Sequence, residues 1–468
     1  MKKISLLVVF SMMCSVLMAE PIILQVESKP VEVNGKSAAF NTIIQPNGTW
    51  GYIGHQGDNF DAIVKNNLNE STVIHWHGII LPNSQDGVNG ITQDLPIAAH
   101  TQTEYKFPLL AAGTYWMHSH YGLQEQIGVE APLIVLGEDD DKYQQVVVMF
   151  QDFSFRVPMN IYNALRKDAA SGIQSNPHMQ HMDMPGMDSS MSINNDLNDV
   201  TYDAYLTNYH AVESPQITQV KAGGVVRLRF INGASATNFW IKLGKLDGKL
   251  IAVDGQNVKP ISGSQFPIAI GQRVDILLTI PKAGGSYPII GQVEGLKNQT
   301  GLILTTDSSF NKVIIPQLAN QAESAIGYQL ESKLHPLLHT NLIESTATVK
   351  NIKLSLDGNM ATYHWTLNNQ EWPNIAPLVV TQGDLVNLTF ENKSMMSHPM
   401  HLHGYEFKVV SIDGKLVDGT FRDTVLVKPH SSVTVQFVAN HVGKWMLHCH
   451  VAYHMEGGMM TYLQVNPK

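Results

Sequence analysis

The sequence predicts an all-β chain of three β-sandwich domains in tandem. Two repeated elements and one compositional feature point there. The segments GDNFDAIVKNNL (Gly57–Leu68), AGGVVRLRFING (Ala222–Gly233) and GDLVNLTFENKS (Gly383–Ser394) each set alternating apolar residues after a glycine turn, the period-2 signature of a strand. A second element follows each of them in the same order: AGTYWMHSH (Ala112–His120), AGGSYPIIG (Ala283–Gly291) and VGKWMLHCH (Val442–His450). Turn residues are dense throughout, and amphipathic helical patterning is scarce. A strand pattern that recurs three times is most economically three sandwiches.

The repeats set domains at about 20–141, 142–335 and 336–468. The middle copy, AGGSYPIIG, lacks the histidines of the other two, so this domain reads as a spacer that kept the fold and lost the chemistry. An interruption at about 159–198, centred on HMQHMDMPGMDSSM (His178–Met191), is polar and without apolar period. It is expected to be a surface loop.

Composition narrows the compartment and the partners. The net charge of −9 argues against a nucleic-acid partner and against strong membrane attraction. The N-terminus, MKKISLLVVFSMMCSVLMAE, has two lysines, an apolar run from Ile4 to Met18, then Ala19. That is the pattern of a cleaved secretory signal over 1–19. The run is short for a bilayer span, and no basic stop-transfer cluster follows it. Without a twin arginine, the general secretion route into the periplasm or beyond is expected. No later stretch is apolar enough to span a membrane. Of the two cysteines, Cys14 lies in this leader. The mature chain keeps Cys449 alone, and a lone thiol in an oxidising compartment is a liability unless a metal occupies it.

Twenty histidines are present, and eight of them form four His-X-His units: His75-Trp76-His77, His118-Ser119-His120, His401-Leu402-His403 and His448-Cys449-His450. On a strand, residues i and i+2 face one side. Each unit therefore aims two imidazoles at one place. Two units come from the first domain and two from the third, so they converge only if those domains pack together. Eight imidazoles exceed the need of one ion and suit a metal cluster. The same alternation sends Cys449 to the opposite side from its neighbours. His454, Met459 and His398 are placed to join it, and a His₂Cys set with a weak axial Met is the ligand list of an electron-transfer copper. Zinc competes on ligand type, but it needs neither an axial thioether nor a second cluster wired to it.

On these four motifs the sequence resembles the three-domain multicopper oxidases, laccases and bacterial copper-efflux oxidases among them. The resemblance covers essentially the whole mature chain. It implies three cupredoxin-like Greek-key sandwiches and four coppers: one type 1, one type 2 and two type 3. Position by position, it implies His75 and His401 on the type 2 copper. His77, His118 and His450 would hold one type 3 copper, and His120, His403 and His448 the other. His398, Cys449, His454 and Met459 would form the type 1 site. Four electrons turn dioxygen into two waters, so a reductant giving them singly needs Cys449 as the relay and a nearby acid as proton donor. The resemblance makes Asp86, in the QDG that follows HWHG, that acid. The plainer role of an Asp-Gly is to start a turn. Bacterial relatives often carry Glu directly after the second type 1 histidine; Met455 stands there, with Glu456 next.

The substrate follows less directly. Thioethers select Cu(I), and Met179, Met182, Met184, Met187 and Met191, with His178 and His181, could gather it. Met395, Met396, Met400, Met455 and Met460 lie near the type 1 ligands in sequence, where packing is the plain role for any one of them. Copper-efflux oxidases carry an Asp and a Met just before HPxHxHG to bind incoming Cu(I). Met396 matches the Met, but Ser394 stands in place of the Asp. The expected function is a monomeric Cu(I) oxidase in copper tolerance, with dioxygen as acceptor. A laccase-like oxidase of phenols or other small organic reductants is the alternative. A copper-storage or delivery protein is a third reading, and the complete set of ligands argues against it. A copper nitrite reductase is disfavoured because it lacks the trinuclear set.

Overall fold

The repeated segments fold as the same strand in each third of the chain. In the computed structural model, which describes residues 20–171, 197–307, 313–338 and 348–468, the first element becomes the strands Asn59–Asn66, Val225–Asn232 and Leu385–Asn392. Each pairs in parallel with the first strand of its own sheet, through Ile22 with Ala62, Gln144 with Val226, and Val349 with Leu385. Each ends on a buried asparagine, Asn66, Asn232 or Asn392. The side-chain oxygen of each accepts the backbone N–H two residues on, from Leu68, Ala234 and Ser394, while its amide donates to carbonyls across the loop. The local bond fixes the turn, and the outward ones satisfy the carbonyls it buries.

Among the described residues, each third holds two sheets. They have four and four strands within 22–136, seven and five within 144–305, and seven and five within 349–466. Alternation is strict where the sheets face each other. Asn59–Asn66 runs with Phe60, Ala62 and Val64 buried. Phe60 stacks on Phe107 at 4.7 Å and meets Trp76 edge-on at 4.8 Å, pairs worth about 0.5–1.5 kcal/mol each beyond the area they bury. Trp76 is the middle residue of its His-X-His unit, so the core holds the strand by the residue between the two ligand candidates.

The stretch read as one polar loop opens instead with a helix, α1 (Pro158–Ser171). Ile161, Tyr162 and Leu165 are buried on one face of it, and proline at its first position needs no hydrogen-bond partner there. Three apolar residues make too short a stripe to register as a period. The Tyr162 hydroxyl donates to the Glu456 carbonyl at 3.3 Å, which seats α1 against α2 (Ala452–Glu456). The leader 1–19 and the residues from His178 to Met191, with Met179, Met182, Met184 and Met187, lie outside the described residues. No helix among the described residues is long and apolar enough to cross a membrane.

Candidate metal centre

Four strand ends bring the eight imidazoles together. In the first domain Ile74–His77 is an edge strand beside Gly113–Ser119, with His75 opposite His118. In the third, His398–Leu402 lies beside Gly443–Cys449, with His401 opposite His448. Trp76 and Met117 turn into the first core, and the histidines turn out of it. Rings from the two domains stack on each other, His75 on His403 at 3.6 Å and His77 on His401 at 3.7 Å between centroids. Their nitrogens fall into sets within 4.8 Å: His77, His118 and His450; His120, His403 and His448; His75, His401 and His403.

Each imidazole has an outer and an inner nitrogen, and in five of the eight the outer one meets a carbonyl or carboxylate acceptor. His75 Nδ1 lies 2.9 Å from the Asp86 carbonyl, His401 Nδ1 2.9 Å from the Asp423 carbonyl, and His448 Nδ1 2.9 Å from the Cys449 carbonyl. His403 Nδ1 is 3.0 Å from Asp86 Oδ2, and His77 Nε2 is 3.1 Å from Asp423 Oδ1. The proton therefore sits outside and the lone pair points in. Inside, the Nε2 atoms of His75, His118, His120 and His401 are buried with no hydrogen-bond partner. His403 faces His448, and His77 Nδ1 faces His450 Nε2, each lone pair against lone pair at 3.2 Å. Burial first, then the neighbouring histidines, holds His77, His118, His120, His401 and His403 well below the usual imidazole range. Burial likewise brings His448 to about 4. Dry, neutral acceptors aimed at one another fit a metal cluster; a hydrogen-bonded core would not leave them so.

Cys449 lies across the sheet, as alternation requires. Its Sγ is 3.5 Å from both His398 Nδ1 and His454 Nδ1, which are 3.2 Å from each other. Burial pushes the thiol up, so a thiolate here needs a cation beside it. Met459 is buried, and its carbonyl accepts the Cys449 N–H at 3.1 Å, which sets it next to the cysteine. The outer nitrogens again have acceptors: Ser394 Oγ lies 2.7 Å from His398 Nε2, and Asp199 Oδ2 2.9 Å from His454 Nε2. Ser394 stands where the resemblance implies an acid, on the turn that Asn392 holds. Met396 is buried, with its carbonyl bonded to Asn392. Met395 is 39% exposed, and its sulfur is 3.0 Å from Nε2 of the exposed His430.

Asp86 sits under both His75 and His403, held by the Gly87 turn. Gly87 has φ +75°, and a Cβ there would lie 1.8 Å from the Ile74 carbonyl oxygen. The residue thus forms the turn and also sets its carboxylate against the histidines. Five further residues reach the histidines and were not singled out for that from sequence: Asp423, Thr424, Asp199, Ser394 and Glu125. Glu125 Oε2 is 3.1 Å from His118 Nδ1, and Oε1 is 3.7 Å from His450 Nδ1. Burial, then the charge of Glu130, raises its carboxyl. An acid thus stands near the cluster, but it comes from the first domain, not from the position of Met455.

Imidazoles in this number around a buried thiol belong to copper chemistry, and three cupredoxin sandwiches narrow the class to copper-dependent oxidoreductases. Family models described as multicopper oxidase match residues 52–140, 156–308 and 346–468. The chain is 30% identical over 414 residues to the multicopper oxidase MmcO of Mycobacterium tuberculosis, covering 87% of this chain and 79% of that one. It is 26% identical over 529 residues to copper resistance protein A of Escherichia coli, covering 88% and 86%. Among solved structures, Fet3p, a multicopper oxidase that functions in iron import, shares the fold with a TM-score of 0.77 at 17% identity, over 95% of this chain and 90% of that one. The chain belongs to the multicopper oxidase family, enzymes that carry copper and pass electrons from a reductant to dioxygen.

Proposed function

We propose that the chain is an exported, monomeric cuprous oxidase serving copper tolerance. Four Cu(I) would each lose one electron, and one dioxygen would take up four electrons and four protons to give two waters. Four coppers would be held as the resemblance implies. His398, Cys449, His454 and Met459 would hold the type 1 copper, and His75 and His401 the type 2. His77, His118 and His450 would hold one type 3 copper, and His120, His403 and His448 the other. Copper in these sites supplies reversible one-electron chemistry. The remaining work falls to the chain. His454, held at Nε2 by Asp199, would help hold the copper that takes in electrons, and Cys449 would link it through its own backbone to His448 and His450. Asp86 holds a carboxylate 3.0 Å from His403 Nδ1, where it can pass protons inward.

The substrate reading rests on an exposed soft pair: Met395, three residues before His398, and His430 from the turn after strand Thr424–Val427. A thioether and an imidazole suit Cu(I) and offer little to a phenol. The similarity to a copper resistance protein supports the same reading. Asp199, which follows the Met-rich stretch in sequence, meets His454. Export rests on the leader 1–19. The test is steady-state oxygen uptake by the fully copper-loaded protein, with Cu(I) and with a phenol in parallel. Faster turnover of Cu(I) is expected. Uptake with the phenol alone would favour the laccase-like reading, and tight copper binding with no uptake would favour storage.

A further inference from the structure

The middle domain, read from sequence as a spacer, reaches the histidine cluster through one turn. Gly271, at φ +78°, lies against the ring of His450; a Cβ there would be 2.8 Å from Cδ2 and 3.1 Å from Cγ. Two residues on, Arg273 is fully buried, and its guanidinium touches all three domains. Nε donates to the Thr114 carbonyl at 3.1 Å, on the strand that carries His118. Nη1 donates to the Gly271 carbonyl at 2.9 Å and to Asp423 Oδ1 at 2.8 Å, and Nη2 pairs with Asp423 Oδ2. Asp254, also of the middle domain, stands 3.6 Å from Nη1.

Asp423 is the residue this fork holds in place, and Asp423 faces two cluster histidines. Its Oδ1 is 3.1 Å from His77 Nε2, and its carbonyl is 2.9 Å from His401 Nδ1. Thr424 Oγ1 donates to the same Oδ1 at 2.8 Å. His77 is turned the other way from His75 and His401: its Nδ1 points inward, where theirs is Nε2. A neutral imidazole has one N–H, and a fixed carboxylate at Nε2 keeps the proton there and leaves Nδ1 free to ligate. A carboxylate free to rotate would not select between the two nitrogens.

We infer that Arg273 is a positioning residue for the cluster. By gripping Asp423 in a bidentate pair, it sets the tautomer and ring orientation of His77 and the orientation of His401. Arg supplies a planar fork here that Lys cannot match. The inference rests on the proposed assignment of these histidines to copper.

The test compares wild type, Arg273→Lys and Arg229→Lys. Arg229 is equally buried, pairs with Asp140 and Asp275, and bonds the same Thr114 through its hydroxyl. All three proteins are reconstituted with copper and then challenged with a chelator. Copper per chain, type 1 absorbance and the type 2 electron paramagnetic resonance signal are recorded. Loss of a partner that orients a metal ligand costs about 10- to 100-fold in metal affinity. Arg273→Lys is therefore expected to keep its type 1 absorbance and to release cluster copper to at least about 10-fold less chelator, with an altered type 2 signal. Arg229→Lys should match wild type in all three readings. Wild-type retention and signal in Arg273→Lys would overturn the inference, as would an equal loss in Arg229→Lys. Should Arg273→Lys not fold, Asp423→Asn replaces it, with the same loss expected and the same overturning result. Fewer than four coppers in wild type would strike the assignment itself, before any variant is compared.

Discussion

Every cluster imidazole has two nitrogens, and where a carboxylate meets one of them, as at His77 and His403, it favours the other facing inward. Asp86 illustrates the cost of losing such a partner. Asp86→Asn keeps the shape and the Gly87 turn but cannot carry a proton. Reoxidation of the fully reduced enzyme by dioxygen should slow by about 100-fold with the type 1 absorbance unchanged, as stopped-flow measurement would show. A wild-type rate would leave Asp86 a structural residue. Asp199 acts on the other centre. Its carboxylate accepts from His454 Nε2 and also from the Tyr363 hydroxyl at 2.7 Å. Asp199→Asn removes a negative charge that favours the more positive, oxidised state. A difference of about 1 kcal/mol between charged and neutral hydrogen bonds raises the type 1 potential by about 40 mV. Redox titration would check the sign, and a fall in potential would refute it. These partners were illegible in the sequence because of distance. His77 and Asp423 are 346 positions apart, His403 and Asp86 317, and His454 and Asp199 255. Asp86 alone was found, through the resemblance and not through its spacing.

The strands, by contrast, could be read ahead of the structure because their information is local. Alternation put two histidines of each unit on one face and Cys449 on the other, and the backbone has them so. It also sends Trp76 into the core, where Phe60, Tyr105 and Phe107 surround it. Truncating such a residue removes contacts and leaves a cavity, at about 3–5 kcal/mol. Trp76→Ala should lower the unfolding free energy of the metal-free protein by that amount. The band of Cys449, in the third domain, should survive at temperatures where the protein stays folded. An unchanged denaturation midpoint would mean that the first core relaxes to fill the void. The helix α1 escaped the sequence reading because its apolar face is only Ile161, Tyr162 and Leu165, inside a polar stretch. The middle domain's approach to the centre was hidden for a related reason. Its contribution at the centre is a glycine turn and an arginine, and neither residue type announces a metal site.

Across the whole molecule, the metal-free protein stores an instability that depends on pH. Burial lowers His77, His118, His120, His398, His401, His403 and His450, and brings His448 to about 4. In the unfolded chain the same groups titrate near 6.5. As the pH falls below that value, the unfolded state takes up protons that the folded state refuses. The stability is therefore present above about pH 6.5 and is lost toward pH 4, at up to about 1.4 kcal/mol per pH unit for each histidine. Thermal melts of the metal-free protein should fall steeply over that window. Bound copper keeps the imidazoles deprotonated and stabilises the folded state by mass action, so the loaded protein should fall less. A flat melting temperature from pH 7 to 5 without metal would show that the cluster opens to water on its own.

One strand, Gly443–Cys449, shows a different face to each of the two centres. Donor and acceptor of electrons thereby occupy separate compartments of a single molecule, with the thickness of one sheet as the partition. With copper at both centres, charge would cross it through the covalent bonds that join Cys449 to His448 and His450. The arrangement is that of a galvanic cell whose wire is one amino acid long. On the proposed reading, such a cell would take its electrons at the outer terminal and spend them at the inner one.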